Sequence, residues 1–80
     1  MRLPRDLTGD DLAKALRLLG YEVTRQTGSH MRLTTAQGGE HHVTIPKHNP
    51  LRVGTLGGIL SDVAMHFKTT RESIAQQLFS

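Results

Sequence analysis

The sequence contains no cysteine and no tryptophan, and only one tyrosine and two phenylalanines among its 80 residues. The absence of cysteine excludes disulfide bonds, thiolate metal ligands and a cysteine nucleophile. With so few aromatic side chains, a hydrophobic core must be built from leucine, isoleucine, valine and alanine. A chain this short is expected to form a single domain over residues 1–80. Residues 1–6, which include Pro4 and show no periodicity, are interpreted as a loosely ordered lead-in.

Long apolar runs are absent as well, which bears on where the protein resides. No segment approaches the roughly 20 apolar residues that a membrane-spanning helix needs, and the first residues lack the apolar stretch of a secretory signal. These absences predict a cytoplasmic protein that does not enter a membrane. Ten Lys and Arg outnumber seven Asp and Glu, for a formal net charge of +3. This excess favours a polyanionic partner without identifying one.

Several kinds of catalytic site are also missing from the sequence. There is no Ser-His-Asp arrangement for acyl transfer, no pair of carboxylates on one face for glycoside or metal-dependent phosphodiester hydrolysis, and no glycine-rich loop between a strand and a helix for nucleotide binding. The three aromatic residues are too few for recognition by base stacking. Any RNA would therefore be bound mainly through its backbone.

The pattern that is present begins with an amphipathic helix. Thr8 can cap its start, where the carboxylates of Asp10 and Asp11 complement the unpaired N–H groups and the helix dipole. Leucines then recur at spacings of four and three, at positions 12, 16 and 19, and Gly20 supplies a C-terminal stop. The sequence thus predicts a helix from Thr8 to Gly20.

Three alternating segments follow and predict an antiparallel meander. They cover residues 21–26, 29–35 and 41–45, and Pro46 ends the last one. In the first segment, Tyr21, Val23 and Arg25 alternate with Glu22, Thr24 and Gln26. In the second, Met31 and Leu33 fall on one face while His30, Arg32 and Thr34 fall on the other, because strand side chains alternate. The polar set of the second strand is therefore expected to face away from the core.

Two helices complete the expected fold. Thr55 is expected to open the second helix, and Thr69 and Glu72 have the spacing of a capping box before a short third helix. The order predicts an α+β fold of the α-β-β-β-α type, with a short extra C-terminal helix. Its three-stranded antiparallel sheet is covered by helices on one face and open to solvent on the other. This is the outline of a double-stranded-RNA-binding-like domain, and fold alone does not establish a function.

Gly28-Ser29-His30 is the most informative segment. Gly28 permits a tight turn and close backbone approach, Ser29 offers a hydroxyl and an N–H, and His30 enters a strand on the open face beside Arg32. These are suitable parts of a phosphate site. Two simpler interpretations remain. His30 is only an exposed polar residue, or Gly-Ser-His-Met is the remnant of a cleaved expression tag, although such a remnant belongs at the N-terminus.

The other candidate residues lie after the second strand. Lys47 and His48 follow Pro46 in a loop from which both side chains can reach a backbone phosphate, and the alternative is an ordinary solvated loop. The pair His41 and His42 invites a zinc interpretation. Neighbouring strand residues point to opposite faces, however, and no cysteine or placed carboxylate completes a ligand set, so neither a metal nor another cofactor is expected. His66 is interpreted as a cation beside a helix C-terminus.

Four short motifs carry a family resemblance that covers the chain from about Thr8 to Leu78. In chain order they are Leu19-Gly20-Tyr21, then Arg25-Gln26-Thr27-Gly28-Ser29-His30, then Ile45-Pro46-Lys47-His48, and finally Gly54-Thr55-Leu56 with Ile59-Leu60 shortly after. None is specific alone, since each consists of common residues. In this order within one short chain they resemble the HicA toxins, also called YcfA-like proteins.

The resemblance implies a double-stranded-RNA-binding-like fold, ribosome-independent cleavage of messenger RNA, and neutralisation by a HicB-type antitoxin. In that family the histidine of the Gly-Ser-His segment is catalytic, which corresponds to His30. The chain departs from the family in two places. Residues 36–40 lack the basic residues that the family often carries at this turn, and the third helix from Thr69 is longer than expected and is a candidate element for antitoxin docking.

Metal-free RNA cleavage uses the ribose 2′-hydroxyl as nucleophile, which suggests a role for each candidate residue. We assign His30 as the general base, because an imidazole can accept a proton at neutral pH. Arg32, Lys47 and the N–H groups of the Gly-Ser turn would stabilise the phosphate, with His48 as a candidate acid. The alternatives are a non-catalytic RNA-binding module and a basic protein-interaction domain.

Overall fold

A computed structural model describes residues 3–79 of the chain, so the expectations for residues 1, 2 and 80 lie outside the described part. The elements in chain order are helix α1 (Gly9–Leu16) with a 3-10 turn (Arg17–Leu19), strands β1 (Glu22–Gln26), β2 (His30–Thr35) and β3 (His41–Pro46), and helices α2 (Val53–His66) and α3 (Arg71–Phe79). The strands form one antiparallel sheet in the order β1-β2-β3. The predicted α+β arrangement is confirmed.

The start and end of the first helical segment follow the sequence signals. The Thr8 hydroxyl accepts a hydrogen bond from the Asp11 N–H at 3.0 Å, and the Asp11 carboxylate accepts one from the Thr8 N–H at 3.1 Å. This reciprocal capping box satisfies N–H groups that have no helical partner. The same hydrogen bonds hold the pKa of the Asp11 carboxyl below its usual range. Gly20 ends the segment with a φ of 83°, in the left-handed region.

The core lies between the helices and one face of the sheet. Its principal members are Met31, Leu33, Val43 and Ile45 from the sheet and Leu12, Leu16, Leu60, Val63 and Ile74 from the helices. The opposite face of β2 carries the exposed side chains of His30 and Arg32. The predicted alternation of β2 is therefore confirmed. Within residues 3–79, no helix has both the length and the apolar character needed to cross a membrane.

Strand β1 departs from simple alternation. Its register with β2 shifts between Val23 and Arg25, so Val23 lies opposite Leu33 while Arg25 lies opposite Arg32. Residues that pair across two strands have their side chains on the same face of the sheet. The shift therefore places Val23 on the helix side and Arg25 on the open side. The predicted alternation placed Arg25 on the same face as Val23. This was wrong, because a bulge at Thr24 adds one residue to β1.

The starts of α2 and α3 also differ from the prediction. Helix α2 begins at Val53 rather than Thr55, after Arg52, whose extended backbone supplies a carbonyl to the Leu56 N–H but no capping side chain. Helix α3 is capped by Thr70, whose hydroxyl accepts a hydrogen bond from the Ser73 N–H at 3.0 Å. The expected pairing of Thr69 with Glu72 was therefore placed one residue too early.

Two leucines before α1, Leu3 and Leu7, contact the rest of the fold. Leu3 and Leu7 pack against the core, and the Leu7 carbonyl accepts a hydrogen bond from the Leu51 N–H at 2.7 Å. In the described part of the expected lead-in, Leu3 thus has a packed position.

The first residue of α1 rests on the chain that leaves β3. The Gly9 N–H donates to the His48 carbonyl at 3.0 Å. A Cβ atom added to Gly9 would collide with the Pro46 carbonyl oxygen. Only glycine allows this approach, which fixes the position of the segment after β3 relative to α1.

Two histidines on the helix side join the sheet to α2. The Tyr21 side chain is fully buried, and its hydroxyl lies 2.7 Å from His41 Nδ1. His41 Nε2 lies 3.3 Å from Asp62 Oδ1, and the His41 ring stacks on the His66 ring with 4.4 Å between centroids. His66 Nε2 lies 2.8 Å from the Gln37 carbonyl oxygen. This network cross-links β3, α2 and the β2–β3 turn.

We predict that Gly9→Ala and Gly58→Ala change stability in opposite directions. The added methyl group at Gly9 meets the Pro46 carbonyl, and such overpacking costs about 1–3 kcal/mol. An added Cβ at Gly58, within α2, meets no atom within 4 Å, and alanine favours a helix over glycine by up to about 1 kcal/mol. Urea denaturation measures both effects. Equal stabilities of the two variants would contradict the close approach at Gly9.

We predict that Tyr21→Phe lowers the free energy of unfolding by about 1–2 kcal/mol at neutral pH, because His41 Nδ1 loses its buried partner. Burial, with a further contribution from the Asp62 carboxylate, raises the pKa of Tyr21 to about 12 from 10.0. The unfolded chain therefore ionises Tyr21 first, and the protein loses stability as the pH rises from about 10 towards about 12.

The pH dependence supplies the test. Urea denaturation of both proteins between about pH 8 and about pH 12 should show a steeper loss of stability in the unsubstituted protein than in Tyr21→Phe. If stability falls equally with pH in both proteins, ionisation of the Tyr21 hydroxyl does not cause the loss of stability at high pH.

Candidate active site

The turn between β1 and β2 is held by the side chain of Thr27. Its hydroxyl accepts hydrogen bonds from the backbone N–H groups of Ser29, at 3.3 Å, and His30, at 3.1 Å. The Thr27 N–H donates to the His30 carbonyl at 2.9 Å. Sequence reasoning did not identify this role of Thr27, although a hydroxyl side chain just before a polar turn is a recognised signal for such bonding. Thr27 thus sets the backbone from which His30 projects.

His30 is the first residue of β2 and is exposed on the open face of the sheet. Its Nδ1 lies 2.9 Å from the Ser29 hydroxyl oxygen. When that hydroxyl accepts a hydrogen bond from Nδ1–H, the neutral ring keeps a free lone pair on Nε2. The geometry therefore allows Ser29 to orient the imidazole and to select the tautomer in which Nε2 is a base.

Gly28 has open space around it. An added Cβ would meet no atom within 4 Å, and the φ angle of Gly28 is outside the left-handed region. The turn itself therefore does not require glycine at this position. The N–H groups of Ser29 and His30 donate to the Thr27 hydroxyl. The Gly28 N–H has no hydrogen-bond acceptor in the described chain, so it is the backbone donor of this turn that remains available.

The end of β3 lies directly beside this turn. Pro46 pairs with His30 in the β2–β3 register, and the Lys47 N–H donates to the Ser29 carbonyl at 2.8 Å. The fold therefore brings the Lys47-His48 segment next to the Gly28-Ser29-His30 segment. Lys47 is half-buried and His48 is exposed. Neither side chain has a hydrogen bond or an ion pair within residues 3–79.

Arg32 lies on the same face as His30, two residues along β2, which corresponds to about 6.6 Å. Its cross-strand neighbours are Arg25 of β1 and Thr44 of β3. Arg25 was not among the predicted site residues, because the bulge that turns it to the open face is not visible in the alternation of β1. The open face thus holds His30 at one end of β2 and, in the next position on this face, two arginines that pair across β1 and β2.

The remaining histidines have partners of other kinds. His41 and His42 lie on opposite faces, as predicted. His42 Nδ1 lies 2.7 Å from the Thr34 hydroxyl and its Nε2 lies 3.1 Å from the Glu40 carboxylate. His66 is the last residue of α2, as its interpretation required, but its ring contacts the Gln37 carbonyl and His41. No cluster of three or more His, Cys, Asp or Glu side chains in the described part is arranged to hold a metal ion.

The open face of the sheet carries mainly polar side chains. Two clefts of the molecule lie elsewhere, one between α1 and β1 and the other beside Leu3 to Leu7 and the start of α2, and neither is lined by His30. Tyr21, Phe67 and Phe79 all pack on the helix side. The surface around His30 therefore offers proton transfer, positive charge and hydroxyl groups, without an aromatic platform for bases.

The chain matches a known protein family over the part that contains this surface. A family model described as the HicA toxin of bacterial toxin–antitoxin systems matches residues 9–65, from α1 to the penultimate residue of α2. No curated protein and no solved structure gives a significant match. The family match covers more than half of the chain and includes His30, Arg32, Lys47 and His48. The chain therefore belongs to the HicA toxin family of bacterial toxin–antitoxin systems.

Proposed function

We propose that this toxin is a metal-independent endoribonuclease that cleaves messenger RNA with His30 as the general base. The observation that carries the proposal is the exposure of the His30 imidazole on the open face of the sheet, with its Nδ1 at 2.9 Å from the Ser29 hydroxyl. The proposed location is the cytoplasm, where messenger RNA is found.

The proposed reaction starts at the ribose 2′-hydroxyl next to the scissile phosphate. His30 Nε2 accepts the hydroxyl proton while the 2′-oxygen forms a bond to phosphorus. The bond from phosphorus to the 5′-oxygen then breaks, and the products are a 2′,3′-cyclic phosphate and a 5′-hydroxyl end. The leaving oxygen takes up a proton, for which His48 is the candidate donor. A general base of this kind contributes roughly a hundredfold to ten-thousandfold to the rate.

The negative charge that develops on the phosphate needs fixed positive partners. Arg32 lies on the same face as His30, and Lys47 follows the residue that pairs with His30. The Gly28 N–H is the backbone donor of the turn that remains available. We assign these three groups to the phosphate and Ser29 to the orientation of the imidazole.

An antitoxin partner follows from the family, and we propose that it is a HicB-type protein. Helix α3 lies beyond the residues that the family model matches. It packs on α2 and α1 through Ile74, Ala75 and Leu78. We propose the outer face of α3 as a candidate surface for antitoxin docking.

We predict that His30→Ala reduces RNA cleavage about a hundredfold to ten-thousandfold and leaves the fold intact. The ring is exposed, and within residues 3–79 its one side-chain hydrogen bond is to the neighbouring Ser29, so its loss removes no core contact there. Cleavage of a defined RNA is measured in the presence of a chelator, together with circular dichroism and the melting temperature.

His42→Ala is the matched control for this experiment, because it removes an imidazole from the same face of the sheet at a position that we assign no catalytic role. We expect the control to cleave RNA at close to the unsubstituted rate. Undiminished cleavage by folded His30→Ala would refute the assignment. RNA binding without strand scission by the unsubstituted toxin would favour a non-catalytic RNA-binding module, and absence of RNA binding would favour a basic protein-interaction domain.

We predict that Gly28→Ala changes stability by less than about 0.5 kcal/mol and reduces cleavage on the order of tenfold to a hundredfold. The protein has room for the added methyl group, but a phosphate bound to the Gly28 N–H does not. Gly58→Ala, in α2, serves as the control with an equally unobstructed methyl group. Normal cleavage by Gly28→Ala would exclude a phosphate contact with this part of the turn.

A further inference from the structure

The open face of the sheet is organised in rows that cross the strands. The first row contains His30 and Pro46, and the second contains Arg25, Arg32 and Thr44. The third row contains Glu22, Thr34 and His42. Hydrogen bonds link Thr24, Thr34, His42 and Glu40 along it, with 2.8 Å between the two hydroxyl oxygens. Successive rows along a strand are about 6.6 Å apart. The arginine row therefore lies between the proposed base and a row of hydrogen-bonded polar side chains.

In the absence of a bound ligand, the arginine row lowers the stability of the fold. Arg25 and Arg32 are directly opposite each other in the antiparallel register, and like charges in such positions destabilise a sheet. Within residues 3–79 neither guanidinium forms a hydrogen bond or an ion pair with a side chain. The third row, by contrast, has a carboxylate, Glu40, on its histidine. Two arginines that lie opposite each other, without an acidic partner in the described chain, form an arrangement that an anionic ligand would stabilise.

The bulge at Thr24 is what creates the pair. Without the extra residue, Arg25 would face the helix side together with Val23. The Thr24 hydroxyl lies 3.3 Å from the Arg32 carbonyl and 2.8 Å from the Thr34 hydroxyl, which fixes the bulge on β2. Bulges often re-aim a side chain near a functional site. The local backbone is thus shaped so that both guanidinium groups lie on the face that carries His30.

We propose that Arg25 binds the phosphate of the RNA strand next to the phosphate that is cleaved at His30, and that Arg32, which lies between them, contributes to the binding of both phosphates. This inference rests on the proposed ribonuclease function and extends it to the path of the substrate across the sheet. Arginine suits the role because its planar guanidinium donates two parallel hydrogen bonds to phosphate oxygens. A single strand of RNA then runs along β2, from the turn at Ser29 towards the third row.

The proposed subsite recognises the backbone and not the bases. The three aromatic side chains of the protein pack on the helix side, so this face has no ring on which a base can stack. Recognition by phosphate contacts alone is independent of sequence and depends strongly on salt. Binding at the arginine row is therefore expected to show little preference for RNA sequence.

The test measures RNA binding in the His30→Ala background, where a defined single-stranded RNA stays intact. Each lost phosphate contact should reduce the slope of log affinity against log salt concentration by about 0.7 for a single strand. We expect Arg25→Ala to weaken binding roughly twofold to tenfold at moderate salt and to reduce the slope by this amount. The double variant Arg25→Ala/Arg32→Ala should reduce the slope further, and Arg25→Lys should retain most of it.

Arg17→Ala is the matched control, because it removes the same charge from an exposed position in the 3-10 turn, outside the sheet. An equal change in slope for Arg17→Ala and Arg25→Ala would overturn the inference, since only net charge would then matter. Absence of any RNA binding would overturn it too. The proposed ribonuclease function is judged separately, by whether cleavage depends on His30.

Kinetics with His30 present distinguish a binding role from a structural one. Arg25→Ala should raise KM while kcat stays nearly constant, because the neighbouring phosphate is bound equally before and during the reaction. A fall in kcat with unchanged KM would contradict the subsite. If Arg25→Ala weakens binding of the antitoxin and leaves RNA affinity and its salt slope unchanged, the arginine row is an acidic-protein contact and the inference is wrong.

Discussion

The two-residue period of β2 is the constraint on which the rest of the structure depends. Because β2 is the central strand, Met31 and Leu33 are covered by the helices, and the residues between them must face solvent. A shift of one residue in register would bury His30 and Arg32 and expose the apolar pair. The burial of two hydrophobic side chains thus determines the position of the candidate catalytic residue. The core and the site are the two faces of one strand.

Local patterns were sufficient to predict most of the fold. Thr8 and Gly20 delimit the first helical segment through a cap and a left-handed stop, and both signals act within a few residues of chain. Alternation predicted β2 and β3 for the same reason. The start of α2 at Val53 was missed because Arg52 provides no capping side chain. Where the local signal is absent, the boundary depends on packing, which a sequence pattern does not contain.

The site was only partly predictable, since its parts meet through non-local contacts. The motif around His30 could be recognised, and the β2–β3 register places it beside the segment that follows Pro46. The bulge at Thr24 could not be inferred from β1 alone, because it is defined by two residues of one strand opposing one residue of its partner. Arg25 was therefore assigned to the face of Val23. One extra residue in an edge strand changes the charge of the whole open face.

The distribution of histidines shows how a small domain separates stability from chemistry. His41 and His66 stack on the helix side and contact Tyr21 and the Gln37 carbonyl, so their rings are held by packing. His30 lies on the other face, and in the described part of the chain its one side-chain partner is the adjacent Ser29. Because the helices bury only one face of the sheet, unpaired cations and an exposed imidazole on the other face disturb no core contact. The cost of cationic repulsion stays at the surface, where solvent screens it and where an anionic substrate can remove it.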